Sequence, residues 1–307
     1  MKLLTVGVGS RGAKILELFH KEGATVNKTP LFKCFALIND EEQLRTLSIK
    51  DEQKFYLRDR RGVPGFINSL TRFYEILEGT LVLASLEDDF AFETSVEFCE
   101  RLKTFSEDPI MYLTLIPSLD KIDVMDLKRK IREVRRLSDV ILIFEEKADV
   151  DEKILNSLNL LALAGEMDLK KGSAGEVILD TSDVFNALKS DGFSVVGFAE
   201  KKLTFEPFKK KSELKAIRTR RILEMVDQAL NNLSIKVDIS EATSALLLFS
   251  GPEEELAMEG ILEATSEIEK LNEGIVVRYG DFPMPPSLLT KKVALVALFS
   301  GIRGFKF

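Results

Sequence analysis

The fold is decided by the stretch Thr5-Val6-Gly7-Val8-Gly9-Ser10-Arg11-Gly12. It continues a short apolar run that begins at Leu3, and it leads into Ala13–Lys21, where apolar side chains recur at helical spacing. The glycines fit the pattern G-x-G-x-x-G between a strand and a helix, where backbone N–H groups can approach a phosphate. Two alternatives stay open from the pattern alone. One is a dinucleotide-binding loop with Asn39 and Asp40 near the ribose, as in an NAD-type oxidoreductase, and the other is a tight turn without a ligand.

Strands and helices alternate from this loop to about residue 150. Further apolar strands are predicted at Phe32–Asn39, Thr80–Ser85, Ile110–Ile116 and Val140–Phe144. Helices are predicted at Ile67–Leu77, Phe92–Lys103 and Val124–Leu137. Strands that are separated by helices of this length indicate a parallel sheet covered on both faces.

The pattern changes after residue 150. A long helix is predicted over Asp151–Lys171, a second helix over Asp180–Ser190 and a strand over Phe193–Phe198, followed by a mixture of strands and helices. We therefore predict an α/β protein in three parts. A Rossmann-like domain with a parallel sheet spans 1–150, a central helix and connector spans 151–192, and a smaller α+β domain with a mixed sheet spans 193–307.

Composition excludes several classes of function. The chain has 307 residues and a formal net charge of −7, which argues against a nucleic-acid partner. No apolar run approaches the roughly 18 residues of a membrane span, so we expect a cytoplasmic protein without direct membrane insertion. A single histidine, His20, removes most histidine-based catalysis. Cys34 and Cys99 have no metal-binding spacing, so no metal site is predicted.

Several stretches, taken in chain order, resemble the tubulin homologue FtsZ of bacteria and archaea. They are the glycine loop 5–12, the strand end Ala36–Leu44, the segment Leu179–Val184 and the strand Ser194–Glu200. The resemblance implies a tubulin-like fold and a protein that stacks into filaments, with itself or with an FtsZ-type relative, through longitudinal contacts. It also implies a guanine nucleotide, GTP or GDP, in the N-terminal domain, with Mg²⁺ only when the nucleotide is bound.

The resemblance assigns roles to individual residues. The nucleotide-binding candidates are Gly7, Gly9, Ser10, Arg11, Gly12, Asn39, Asp40 and Asn159. Asp180 and Asp183 match the two carboxylates that complete the GTPase site of a neighbouring subunit. A helix N-cap and a residue in the first helical turn explain the same two acids without catalysis.

The chain departs from the family where the family has a glycine-threonine loop after the third strand. Here Ala84–Thr94 has no glycine and carries Glu87, Asp88 and Asp89, whose charges repel a triphosphate. The same acids also suit a solvated helix N-terminus. Ile178 stands where the family has an asparagine. We therefore expect weakened or lost GTP binding and hydrolysis, in a cytoskeletal protein that regulates or caps filaments. A self-polymerising, slow GTPase stays as the alternative.

Overall fold

The computed structural model describes residues 1–70, 76–118, 121–164, 166, 175–203, 210–284 and 292–305. The chain divides into two compact units, Met1–Leu155 and Asn156–Lys306. Each unit has its own set of paired strands and its own buried apolar core. The division into 1–150, 151–192 and 193–307 stays a prediction.

The first unit is built on a sheet of six parallel strands. These strands are β1 Leu3–Val8, β4 Phe32–Ile38, β5 Lys54–Tyr56, β6 Gly79–Ser85, β7 Ile110–Ile116 and β8 Val140–Glu145. Their order in the sheet is β8-β7-β6-β1-β4-β5. β1 and β7 are buried along their whole length, as expected for strands that have helices on both faces.

Helices connect these strands. They are α1 Gly9–Glu22, α2 Glu41–Thr46, α3 Val63–Leu70, α4 Asp89–Leu102 and α5 Val124–Leu137. A sixth helix, α6 Val150–Leu163, follows the last of these strands and continues into the second unit. A small hairpin of β2 Thr25–Val26 and β3 Thr29–Pro30 precedes β4. The predicted long helix is confirmed over Val150–Leu163, and the remainder of its predicted length, apart from residues 164 and 166, lies outside the described residues.

The second unit has a mixed sheet, as predicted. Its strands are β9 Phe193–Lys202, β10 Ser244–Gly251, β11 Val276–Pro283 and β12 Lys292–Ile302. Their order is β11-β10-β12-β9, in which β10 pairs parallel with β11 and antiparallel with β12, and β12 pairs antiparallel with β9. The helices are α7 Thr181–Leu188, α8 Lys211–Asn231 and α9 Met258–Glu269. α8 begins at Lys211, and residues 204–209 lie outside the described residues.

Candidate functional site

The glycine loop lies between β1 and α1, but it is shorter than the sequence predicts. β1 ends at Val8 and α1 begins at Gly9, so Ser10, Arg11 and Gly12 form the first helical turn rather than a separate loop. Gly9 has φ +70°, a left-handed conformation that side chains disfavour. The first turn of α1 contains no acidic residue.

Close packing accounts for the other two glycines. A Cβ on Gly12 would lie 2.1 Å from the carbonyl oxygen of Leu83, and a Cβ on Gly7 would lie 2.7 Å from the carbonyl oxygen of Gly12. Gly7 and Leu83 are paired across β1 and β6. Gly12 therefore lets α1 approach β6, so these two glycines are needed whether or not a phosphate binds.

The carboxylate of Asp88 lies directly beside Gly9. A Cβ on Gly9 would be 2.8 Å from Oδ2 of Asp88 and 2.8 Å from Cβ of Ala91. Asp88 is also the N-cap of α4, because its Oδ1 accepts a hydrogen bond from the backbone N–H of Ala91 at 3.1 Å. The acidic turn Glu87–Asp89 thus lies at a helix N-terminus, as predicted, and it also brings a negative charge against the glycine loop.

Lys130 of α5 fixes the acidic turn, a role that the sequence analysis missed. The side chain is 7% exposed, and Nζ donates a hydrogen bond to the carbonyl oxygen of Leu86 at 2.7 Å. Nζ also lies 3.4 Å from Asp89 and 3.3 Å from Asp126. The sequence did contain a signal, because Lys130 falls at helical spacing on the buried face that includes Leu127 and Val134.

Arg11 is held by two carboxylates of its own unit. Its Nε and Nη2 donate to the two oxygens of Glu146 at 2.6 and 3.0 Å, and Nη2 also donates to Asp151 at 2.5 Å. Burial would lower the pKa of Arg11, but these hydrogen bonds outweigh it and raise the pKa above its usual value. Nη1 is buried and has no partner among the described residues. The bidentate pair with Glu146 therefore occupies the guanidinium that was predicted to contact nucleotide.

Ser10 and Asp40 are joined through Gln43 of α2. The Ser10 hydroxyl donates to Oε1 of Gln43 at 2.6 Å, and Nε2 of Gln43 donates to the Ser10 carbonyl oxygen at 3.3 Å. Asp40 caps α2 by accepting from the backbone N–H of Gln43 at 3.0 Å. Asn39 is exposed in the turn between β4 and α2. The structure thus brings Ser10 and Asp40 to one place, where both already have intramolecular partners.

The two acids predicted to act on a neighbour form a reciprocal capping box at the start of α7. The backbone N–H of Asp183 donates to Oδ1 of Asp180 at 2.7 Å, and the backbone N–H of Asp180 donates to Oδ2 of Asp183 at 3.1 Å. Each bond uses one oxygen of its carboxylate. Asp180 is exposed and Asp183 half-buried, and both belong to the second unit, as does the half-buried Asn159 of α6.

A buried acid on β11 holds the segment before this capping box. Asp281 is 8% exposed, and its two carboxylate oxygens accept from the backbone N–H groups of Glu176 and Val177 at 3.0 and 2.7 Å. Its own backbone N–H donates to the carbonyl oxygen of Val177 at 3.1 Å. Nothing in the sequence local to β11 indicates this role of Asp281.

Within the described part of the chain, no group of three or more histidine, cysteine or acidic side chains is arranged to hold a metal ion. No described helix has both the length and the apolar character to cross a membrane.

Comparison with known proteins identifies similar chains. The model of the family "Tubulin-like CetZ, C-terminal domain" matches residues 144–306. The tubulin-like protein CetZ1 of Haloferax volcanii is 26% identical over 98% of this chain and 88% of its own length. A solved GDP-bound CetZ1 monomer superposes with a TM-score of 0.78 at 23% identity, covering 98% of this chain and 94% of that one.

Two further solved structures have the same fold. A GTPγS-bound CetZ2 protofilament from H. volcanii gives a TM-score of 0.78 at 19% identity, covering 100% of this chain and 95% of that one. An empty FtsZ dimer from M. jannaschii gives 0.70 at 15% identity, covering 98% and 88%. The predicted tubulin/FtsZ fold is therefore confirmed.

Proposed function

Because the chain belongs to the tubulin-like CetZ family, within the tubulin/FtsZ cytoskeletal superfamily, we propose that it assembles longitudinally while binding guanine nucleotide weakly or not at all. Its partner in that contact is a second copy of itself or a standard relative. The proposed place of action is the cytoplasm. Family membership favours this function over the NAD-type oxidoreductase.

The observation that carries the proposal is the position of Asp88. A phosphate seated on the glycine loop would rest against Gly9, where Oδ2 of Asp88 already lies 2.8 Å from the position of a Cβ. Like charges at about 4 Å repel by about 1 to 4 kcal/mol, depending on screening. Arg11 does not offset this repulsion, since its guanidinium pairs with Glu146 and Asp151. The residues present therefore do not fit a triphosphate as they stand.

The other half of the proposal rests on the segment of the second unit that ends in the capping box. Asp180 and Asp183 are fixed at the start of α7, each with one carboxylate oxygen outside the capping bonds. A relative of the same fold has been solved as a protofilament. A subunit that keeps this segment but binds nucleotide weakly at its glycine loop would add to one end of a filament and hinder further growth. We therefore favour a regulator or capper of FtsZ-type filaments.

The first test is chromatography of any nucleotide released when freshly purified, native full-length protein is denatured. We expect no stoichiometric GTP or GDP. Unfolding in urea with and without excess GTP and Mg²⁺ is the matched measurement, with ATP as the control. A ligand at 100 times its dissociation constant adds about 2.7 kcal/mol to the free energy of unfolding. Stabilisation of that size by GTP and not by ATP would refute the loss of binding.

The second test is assembly. We expect the chain to form oligomers at raised concentration, or to reduce the polymer mass of a co-resident FtsZ-type relative at substoichiometric amounts, as measured by sedimentation. A chain that stays monomeric and leaves the relative's polymerisation unchanged would refute the assembly function.

A self-polymerising, slow GTPase is the second candidate. It is favoured by the presence of Asp180 and Asp183 and by relatives solved with GDP and GTPγS. Phosphate release that rises more steeply than linearly with protein concentration, and that is lost in Asp183→Asn, would support it over the first candidate.

A further inference from the structure

An open groove of about 490 Å³ follows one side of α8 in the second unit. On α8 it is lined by Ser212, Lys215, Ala216, Thr219, Arg220 and Leu223. These positions recur at spacings of three and four residues, so they form one stripe about 16 Å long on the helix. The groove is therefore long enough for about three turns of a partner helix.

The other wall of the groove is the start of α9, which packs closely on α8. A Cβ on Gly260 would lie 3.1 Å from the carbonyl oxygen of Thr219, so the two helices approach each other closely at this point. Just before α9, the carboxylate of Glu255 pairs with both Arg218 and Arg221 of α8, and its side chain is only 16% exposed. The groove is therefore formed before any partner binds, which lowers the entropic cost of binding.

The groove has a basic rim, although the chain is acidic overall. The stretch Lys201–Arg221 contains nine basic and two acidic residues, whereas the whole chain has a formal net charge of −7. Arg220 is exposed and forms no ion pair within the part of the chain that the structure describes. Lys215 pairs with Glu259 of α9, but the two side chains are 62% and 63% exposed, and such a pair contributes little to stability. The rim therefore offers positive charge to a carboxylate that comes from another molecule.

The contact with Glu259 shows which chemical group this rim accepts. The Glu259 carboxylate accepts a hydrogen bond from Nζ of Lys215 at the edge of the groove. An incoming carboxylate would meet the same donor, and Arg220 adds a second one. Beside these charges the stripe contains Ala216, which is exposed, and Leu223, which is half-buried. A ligand that uses both features needs an apolar side chain next to acidic ones.

Nucleic acid and lipid fit this surface less well. The exposed carboxylates of Glu213, Glu224 and Glu259 lie on or beside the stripe and would repel a phosphate backbone. The apolar face of α8, which includes Ile222 and Met225, is buried in the unit, so it is not free to enter a lipid surface.

We propose that this groove binds an acidic, amphipathic segment of a partner protein. An apolar side chain of the segment lies beside Ala216 and Leu223, and its carboxylates pair with Lys215 and Arg220. The partner is identified by charge complementarity to the basic rim. The proposal does not depend on longitudinal assembly, because it uses none of the residues assigned to that contact.

Fluorescence anisotropy with the native full-length protein tests the proposal. The probe is a labelled synthetic peptide of about 15 residues, in which leucines at helical spacing are separated by glutamate and alanine. We expect saturable binding that weakens as salt is raised. The same peptide with every glutamate replaced by glutamine should not bind. Absence of saturable binding of the acidic peptide, or equal binding of the glutamine peptide, would overturn the proposal.

Three variants at exposed positions locate the binding surface. Arg220→Glu should weaken binding of the acidic peptide at least about tenfold, equivalent to about 1.4 kcal/mol. Ala216→Gln places a longer neutral side chain in the groove and should also weaken binding. Lys236→Glu makes the same charge change beyond the C-terminal end of α8, so it is the matched control and should bind as the native chain does. An equal loss in Lys236→Glu, or full binding by Arg220→Glu, would show that the peptide does not bind in the groove.

Two further measurements distinguish other occupants. Co-sedimentation with phosphatidylserine vesicles tests a lipid surface, and sedimentation velocity over a concentration series tests a second copy of the chain. We expect Arg220→Glu to behave as the native chain does in both. If the acidic peptide does not bind, but Arg220→Glu abolishes vesicle binding or self-association of the native chain, the groove belongs to that other occupant and the proposal is wrong.

Discussion

Removing the charge of Asp88 should restore affinity for guanine nucleotide. Asp88→Asn is the suitable change, because asparagine is as good an N-cap as aspartate and keeps an acceptor for the N–H of Ala91. Alanine would remove the cap as well and would cost about 0.5 to 2 kcal/mol of stability, which would confuse the result.

The expected size follows from the position of the carboxylate. Oδ2 lies 2.8 Å from the site of a Cβ on Gly9, so a phosphate on that glycine would be about 4 Å from the charge. One pair of like charges at that distance costs about 1 kcal/mol in water and about 4 kcal/mol at a partly shielded surface. Asp88→Asn should therefore tighten GTP binding at least about fivefold.

Isothermal titration calorimetry of the full chain with GTPγS and Mg²⁺ measures this gain. Glu100→Gln is the control, because it removes the same charge from α4 about 18 Å further along the helix, beyond the screening length of about 8 Å at physiological salt. The gain should shrink as salt is raised. If Asp88→Asn binds no more tightly than the native chain, or if Glu100→Gln binds equally more tightly, electrostatic exclusion by Asp88 is refuted.

Three further predictions concern stability and reactivity. Lys130→Met should lower the free energy of unfolding in urea by about 1 to 3 kcal/mol, because the buried carbonyl oxygen of Leu86 loses its donor; an unchanged unfolding midpoint would contradict this. Gly12→Ala should also destabilise the chain, by about 1 to 3 kcal/mol or more, because the new Cβ would meet the carbonyl oxygen of Leu83 at 2.1 Å. Burial raises the pKa of the Cys99 thiol to about 12, so it stays protonated and should react with a disulfide reagent at pH 8 only after unfolding. Because the unfolded thiol ionises before the folded one, the contribution of Cys99 to the free energy of unfolding should be fully present below about pH 8.5. It should decline as the pH rises toward 12.

The parallel half of the fold could be predicted from the sequence because its signals are strong and local. β7 Ile110–Ile116 and α5 Val124–Leu137 have the predicted bounds, since one is a continuous apolar run and the other has a regular apolar stripe. α2 and β5 were missed. They are six and three residues long, and β5 is defined by pairing with β4 rather than by its own sequence.

The candidate site was predictable only in part. The glycine loop and the acidic turn are visible as patterns, but their contact between Gly9 and Asp88 depends on how β1 and β6 pair. The role of Asp281 could not be predicted, because its carboxylate accepts a hydrogen bond from a backbone N–H that is 104 positions away in the chain. A charged residue that serves a distant backbone group leaves no local periodicity to detect.

The contact between Gly12 and the carbonyl oxygen of Leu83 has a consequence for genome surveys. Because a side chain at Gly12 would collide with Leu83, packing alone is enough to require that glycine, with or without a ligand. A related protein that does not bind nucleotide would therefore still contain the G-x-G-x-x-G pattern that is used to identify nucleotide-binding proteins. A sequence survey of nucleotide binders should therefore also examine the turn that lies against the glycines. It should distinguish turns with unhindered backbone N–H groups from turns that carry a carboxylate.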